Sequence, residues 1–91
     1  MRYAKRRDAN DLKLVRYLRA LGFTVTDCAD FGKGHPDKIV RRGNKQWYVE
    51  IKNPSTAYGK KGLSASQIRW SEQTGNEIMI IRNEEDVKGL V

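Results

Sequence analysis

Apolar residues recur at helical spacing from Asp8 to Leu21, where Leu12, Val15, Leu18 and Leu21 form a stripe flanked by Leu14 and Tyr17. Gly22 follows as a stop signal, so the pattern predicts a first helix. The period then changes to two. FTVTDC (Phe23 to Cys28) alternates and is β-rich, whereas the glycines and proline of Ala29 to Pro36 predict a loop. Two further strands, Asp37 to Arg41 and Gln46 to Lys52, are joined across Gly43 and Asn44, and glycine followed by a small polar residue suits a type II′ hairpin turn. After a loop from Asn53 to Leu63, Ser64 caps a second helix to about Thr74, with Gly75 as its stop. EIMIIR (Glu77 to Arg82) reads as a buried strand, and Asn83 with Glu84, Glu85 and Asp86 opens a short last helix whose acids suit its positive end. The predicted order is αβββαβα.

The hairpin brings charges together. Side chains alternate across a strand, so Trp47, Val49 and Ile51 share one face and Tyr48, Glu50 and Lys52 the other. With Gly43 and Asn44 as the turn, Arg42 pairs with Lys45, and counting outward sets Asp37 opposite Glu50. Directly opposed residues have Cβ atoms about 4.5–5.5 Å apart. Two opposed carboxylates destabilise a hairpin unless neutralised, and Mg²⁺, which takes one or two carboxylates plus waters and phosphate oxygens, is a suitable neutraliser. A cation there would activate water and polarise a phosphodiester, with Lys52 orienting the water or stabilising the developing charge. The competing reading is a surface Glu50–Lys52 pair with Asp37 supporting the turn after Pro36.

Composition favours a polyanionic partner. The 91 residues carry 18 Lys and Arg against 11 Asp and Glu, a formal charge of +7, which concentrates phosphates around a small surface. With 38% hydrophobic content the chain makes one domain near the lower limit of a self-sufficient core, which a partner subunit would help. Residues 1–7 form a basic arm and 8–91 the domain. The single cysteine, Cys28, excludes an intrachain disulfide, and no signal-like stretch begins the chain, so an intracellular location, in bacterial or host cytoplasm, is expected. The longest apolar run, Ile78 to Ile81, is far too short to span a membrane.

Pro36-Asp37 followed by Glu50-Ile51-Lys52, in this order of elements, resembles the PD-(D/E)XK nuclease signature. Over roughly Asp8 to Arg82 the chain most resembles the virus-type replication-repair nuclease (VRR-NUC) domain, and more distantly archaeal Holliday junction resolvases. The resemblance implies a restriction-endonuclease-like α/β fold, a mixed sheet ordered αβββαβ with a short C-terminal helix. It also implies a Mg²⁺-dependent deoxyribonuclease, with Mn²⁺ as substitute, acting on four-way junctions or other branched DNA, in DNA repair or in a viral or phage setting; the small size of the chain and the two-fold symmetry of such a junction suit a homodimer. Asp37 and Glu50 would bind the metal with the Ile51 carbonyl as a further ligand, and Lys52 would serve the water and the scissile phosphate.

Such nucleases often carry an acid on the first helix, and the best match is Asp11, which lies on the inward stripe four residues before Val15; Asp8 is the substitute. Helix-start stabilisation is the other reading of these acids. Gln67 matches a glutamine on the helix after the EIK strand, yet Ser64-Ala65-Ser66-Gln67 equally fits a capping box. Lys33, Arg6, Arg7, Lys60 and Lys61 are expected to contact DNA phosphates, with solvated loop charge as the other reading of Lys60 and Lys61. His35 is left out of the metal shell, because one His and one Cys make no zinc set. GKGHPDK fails the spacing of a phosphate loop. Trp70 reads as core or dimer interface sooner than as a base-stacking platform. The alternatives to an enzyme are a catalytically inactive DNA-binding module on the same fold, or a generic basic component of a nucleoprotein assembly.

Overall fold

A computed structural model describes residues 9–28, 30–53 and 62–90. It is a small α/β domain with a four-stranded mixed sheet and, among the described residues, three helices. The elements follow as α1 (Ala9–Ala20), β1 (Thr24–Asp27), β2 (Lys38–Arg42), β3 (Lys45–Ile51), α2 (Ala65–Thr74), β4 (Ile78–Ile81) and α3 (Glu84–Lys88). Spatial order equals chain order: β1, β2 and β3 form an antiparallel meander, and β4 lies parallel to β3. A parallel neighbour requires a crossover, which is why a long connection containing α2 separates β3 from β4.

The core fills one face of the sheet. Leu14, Val15 and Leu18 of α1 pack with Phe23, Val40, Val49, Ile51, Ile81, Val87 and Leu90. The first-helix stripe is therefore rotated from the predicted one: it runs through Leu14, Leu18 and Val15, with Leu18 at its centre, while Leu12 and Leu21 are 48% and 38% exposed. Residues 14, 15 and 18 satisfy the i, i+1, i+4 geometry of one helix face. Leu12 falls outside that arc, and Leu21 lies in the turn that leads to Phe23.

Local signals fix the ends. Ser64 caps α2, its Oγ accepting the N–H of Gln67, and Gly75 ends that helix in the left-handed conformation at φ +72°. Asn83 caps α3 by accepting the Asp86 N–H, and three acids occupy its first turn, where the helix dipole favours them. Gly43 has φ +61°, and Lys33 is the one described non-glycine residue with positive φ. Positive φ at Gly43 alone is the type II′ pattern, whose twist matches that of the flanking strands. No described helix is long and apolar enough to cross a membrane.

Candidate active site

The tight turn transmits an unbroken register along the hairpin, from Arg42 opposite Lys45 to Lys38 opposite Val49. One step further, Asp37 meets Glu50, and the Asp37 backbone N–H donates to Glu50 Oε1 at 3.2 Å. On the other side of Asp37, its carbonyl accepts the Cys28 N–H at 2.6 Å. Both backbone groups of Asp37 are thus held, one by β3 and one by the segment leaving β1. Val49 and Ile51 enter the core, so alternation directs Glu50 and Lys52 to the opposite face of the sheet.

Glu50 and Lys52 are buried, at 6% and 4% exposure. Burial of either charge alone would be costly. Here Lys52 Nζ lies 3.6 Å from Glu50 Oε2, so one carboxylate oxygen faces the ammonium and the other takes the Asp37 N–H. The Lys52 backbone is fixed as well. Its N–H donates to the Ile81 carbonyl at 3.0 Å, and its carbonyl accepts Asn10 Nδ2 at 2.8 Å. Asn10 also reaches the Arg82 carbonyl at 3.3 Å, so the first turn of α1 ties together the ends of β3 and β4.

Asp11 points inward, as its position four residues before Val15 predicts. Its Oδ2 is 3.2 Å from Lys38 Nζ, and Lys38 also lies 3.4 Å from Asp27 Oδ1. Lys38 is only 1% exposed. It stands opposite Asp27 on one side and Val49 on the other, in phase with Val40, and so projects from the core face of the sheet. Glu50 projects from the other face. Asp11 therefore neutralises a buried lysine, and no group of three or more His, Cys, Asp or Glu side chains suited to a metal forms among the described residues. The inward lysine was legible in principle: once Val40 and Val49 are assigned inward, alternation carries Lys38 with them. Asp8, the substitute acid, lies outside the described residues.

Gln67 forms both halves of the capping box: its Oε1 accepts the Ser64 N–H at 2.9 Å while its own N–H donates to Ser64 Oγ at 3.2 Å. Close by, the turn bearing Gly34 packs on this helix start. A Cβ on Gly34 would overlap the Ser66 carbonyl oxygen and lie 2.6 Å from the Ser66 carbonyl carbon, and its φ is +82°. Trp70 is half-buried, packed edge-on against Tyr48 with ring centroids 5.2 Å apart, and 5.3 Å from His35. Lys33 is exposed, and Arg6, Arg7, Lys60 and Lys61 lie outside the described residues. At the turn end of the hairpin, away from the acids, Gly22, Thr24, Arg41, Arg42 and Gly43 line a cleft of about 220 Å³.

The chain matches no family model, no curated protein and no solved structure. Asp37 and Glu50 supply hard oxygen donors from adjacent strands, a set that fits a Mg²⁺ ion retaining several waters and meeting a phosphate.

Proposed function

We propose that this chain is a divalent-metal-dependent endonuclease that hydrolyses DNA phosphodiesters, with selectivity for branched DNA. The observation that carries the reading is the placement of Glu50 across the hairpin from Asp37 with the Lys52 ammonium 3.6 Å from its carboxylate. Two acids and a lysine at the ends of adjacent strands, on an αβββαβα chain with a mixed sheet, agree with a restriction-endonuclease-like PD-(D/E)XK domain of the VRR-NUC kind.

Asp37 and Glu50 would hold Mg²⁺ or Mn²⁺, with the Ile51 carbonyl as a further ligand. When bound, the metal supplies Lewis acidity and a more acidic water. Lys52 sets its ammonium beside the phosphate, where it stabilises developing negative charge, and its contact with Glu50 keeps it aimed. Asp11 and Gln67 have structural duties that account for them, as partner of Lys38 and as half of the α2 cap. Arg41, exposed and on the same strand face as Asp37, would meet a phosphate further along the DNA, together with Lys33. A homodimer would present two such sites about a two-fold axis, which suits paired incision of a four-way junction.

A second reading has its own support. Both Glu50 oxygens already have protein partners and Lys52 is buried with them, which would serve an inactive DNA-binding module equally well. Labelled four-way junction, flap and linear duplex, incubated with Mg²⁺, Mn²⁺ or EDTA, decide between them. The enzyme cuts a branched substrate in either metal, and EDTA, Asp37→Ala and Lys52→Ala each abolish cutting. Cleavage persisting in EDTA or in Asp37→Ala overturns the chemistry, and binding without cleavage in every metal selects the module.

A further inference from the structure

Phe31 is 65% exposed, the most exposed large apolar side chain among the described residues. Single exposed apolar residues are ordinary, but this one is the outer end of a chain of rings. Phe31 lies 4.8 Å from His35, His35 lies 5.3 Å from Trp70, and Trp70 lies 5.2 Å from Tyr48, centroid to centroid. The four come from one turn, from α2 and from β3.

The turn that carries Phe31 is held in place. The Phe31 N–H donates to the Cys28 carbonyl and the His35 N–H to the Gly32 carbonyl, each at 3.0 Å, and Gly34 rests against Ser66. A ring presented this way loses little conformational freedom when a partner arrives, which favours binding. Its position is also informative. His35 is two residues before Asp37, and Tyr48 is two residues before Glu50 on the same strand face. The rings thus border the carboxylates.

We propose that Phe31, backed by His35 and Trp70, is a stacking platform for an unpaired nucleobase next to the phosphate that a metal on Asp37 and Glu50 would meet. The inference rests on the nucleic-acid reading above for the position of that strand. Charge supports this occupant: the chain carries +7, and Lys33, exposed in the same turn as Phe31, sets a cation beside the ring. Stacking on an aromatic ring tolerates any base but needs a free base face, which a base inside a continuous duplex lacks. The favoured substrates are therefore strands with an unpaired nucleotide at the branch, such as flaps and single-strand ends, above fully paired duplex.

Fluorescence anisotropy in EDTA tests this without cleavage, using a labelled oligothymidylate and a blunt duplex of equal length. Phe31→Ala should weaken single-strand binding roughly 5- to 100-fold, change duplex binding by less than about twofold, and be rescued by Phe31→Trp. Unchanged single-strand affinity in Phe31→Ala, or equal loss on both probes, overturns the platform. So does a variant whose only change is altered self-association in sedimentation, which would make the ring a contact between copies. Phe31-dependent binding in EDTA with no cleavage in Mg²⁺ supports the platform while removing the hydrolytic reading.

Discussion

Lys38 Nζ lies 3.2 Å from Asp11 Oδ2, joining the first helix to the second strand through an ammonium that is almost wholly buried. Removing one partner of a buried pair leaves the other uncompensated and costs about 3–5 kcal/mol. Asp27 stays 3.4 Å from Lys38, so Asp11→Ala should lie at the low end of that range. Lys38→Met should cost less, because the side chains of Asp11 and Asp27 are 14% and 31% exposed and can hydrate. Urea unfolding measures both, and a double variant less destabilised than the sum confirms the coupling. Under conditions where Asp11→Ala is folded, its cleavage should match the parent protein; selective loss would return Asp11 to the metal shell.

Gly34 and Gly32 share a turn and a positive φ but differ in space. A Cβ on Gly34 meets the Ser66 carbonyl, whereas at Gly32 nothing lies within 4 Å. Gly32→Ala should cost about 1–2 kcal/mol, the left-handed penalty alone. Gly34→Ala adds a clash with backbone that cannot rotate away, and should cost roughly 2–4 kcal/mol in total. Thermal and urea unfolding rank the two.

Gln67 separates a cap from a catalyst. Glutamate serves the capping box as well as glutamine does, so Gln67→Glu should retain stability and cleavage, whereas Gln67→Ala should lose about 1 kcal/mol. Cleavage lost in Gln67→Glu at unchanged stability would assign the residue to the reaction.

Cys28 gives a pH dependence. Burial pushes its thiol above the ordinary value, outweighing the nearby Lys38 charge, which pulls the other way. The folded state therefore holds this proton more tightly than the unfolded chain. The resulting stabilisation is complete below about pH 9, the ordinary thiol value, and is lost as pH rises through the folded value. Relative to Cys28→Ala, the parent protein should lose stability between neutral and strongly alkaline pH, and its thiol should react slowly with disulfide reagents until it unfolds.

Much of this was legible because the information was local. The Gly43–Asn44 turn set the hairpin register, and through it the meeting of Asp37 with Glu50, from residues adjacent in the chain. The Ser64 and Asn83 caps were legible for the same reason. Asn10 was not, since its contacts lie 42 and 72 residues away and asparagine near a helix start has a sufficient local explanation. Lys38 was hidden by its charge, which suggests solvent, although its strand phase is that of Val40. The first-helix stripe was displaced because leucines at 12, 14, 18 and 21 admit two overlapping arcs, and only the sheet selects one. The aromatic chain spans a turn, a helix and a strand, and no single segment displays it.

The pinning of Lys52 by Asn10 and Ile81 divides the site by sequence separation. Asp37 and Glu50 meet within one hairpin, a short loop whose closure is fast and entropically mild. Lys52 reaches its final backbone position only when the first helix and the fourth strand, from opposite ends of the chain, have both docked. The contact that aligns the two acids is thus local in sequence, and those that fix the Lys52 backbone are long-range. Loosening of the first helix or the fourth strand would free the Lys52 backbone, whereas the hairpin register that faces Asp37 with Glu50 is made by the second and third strands alone.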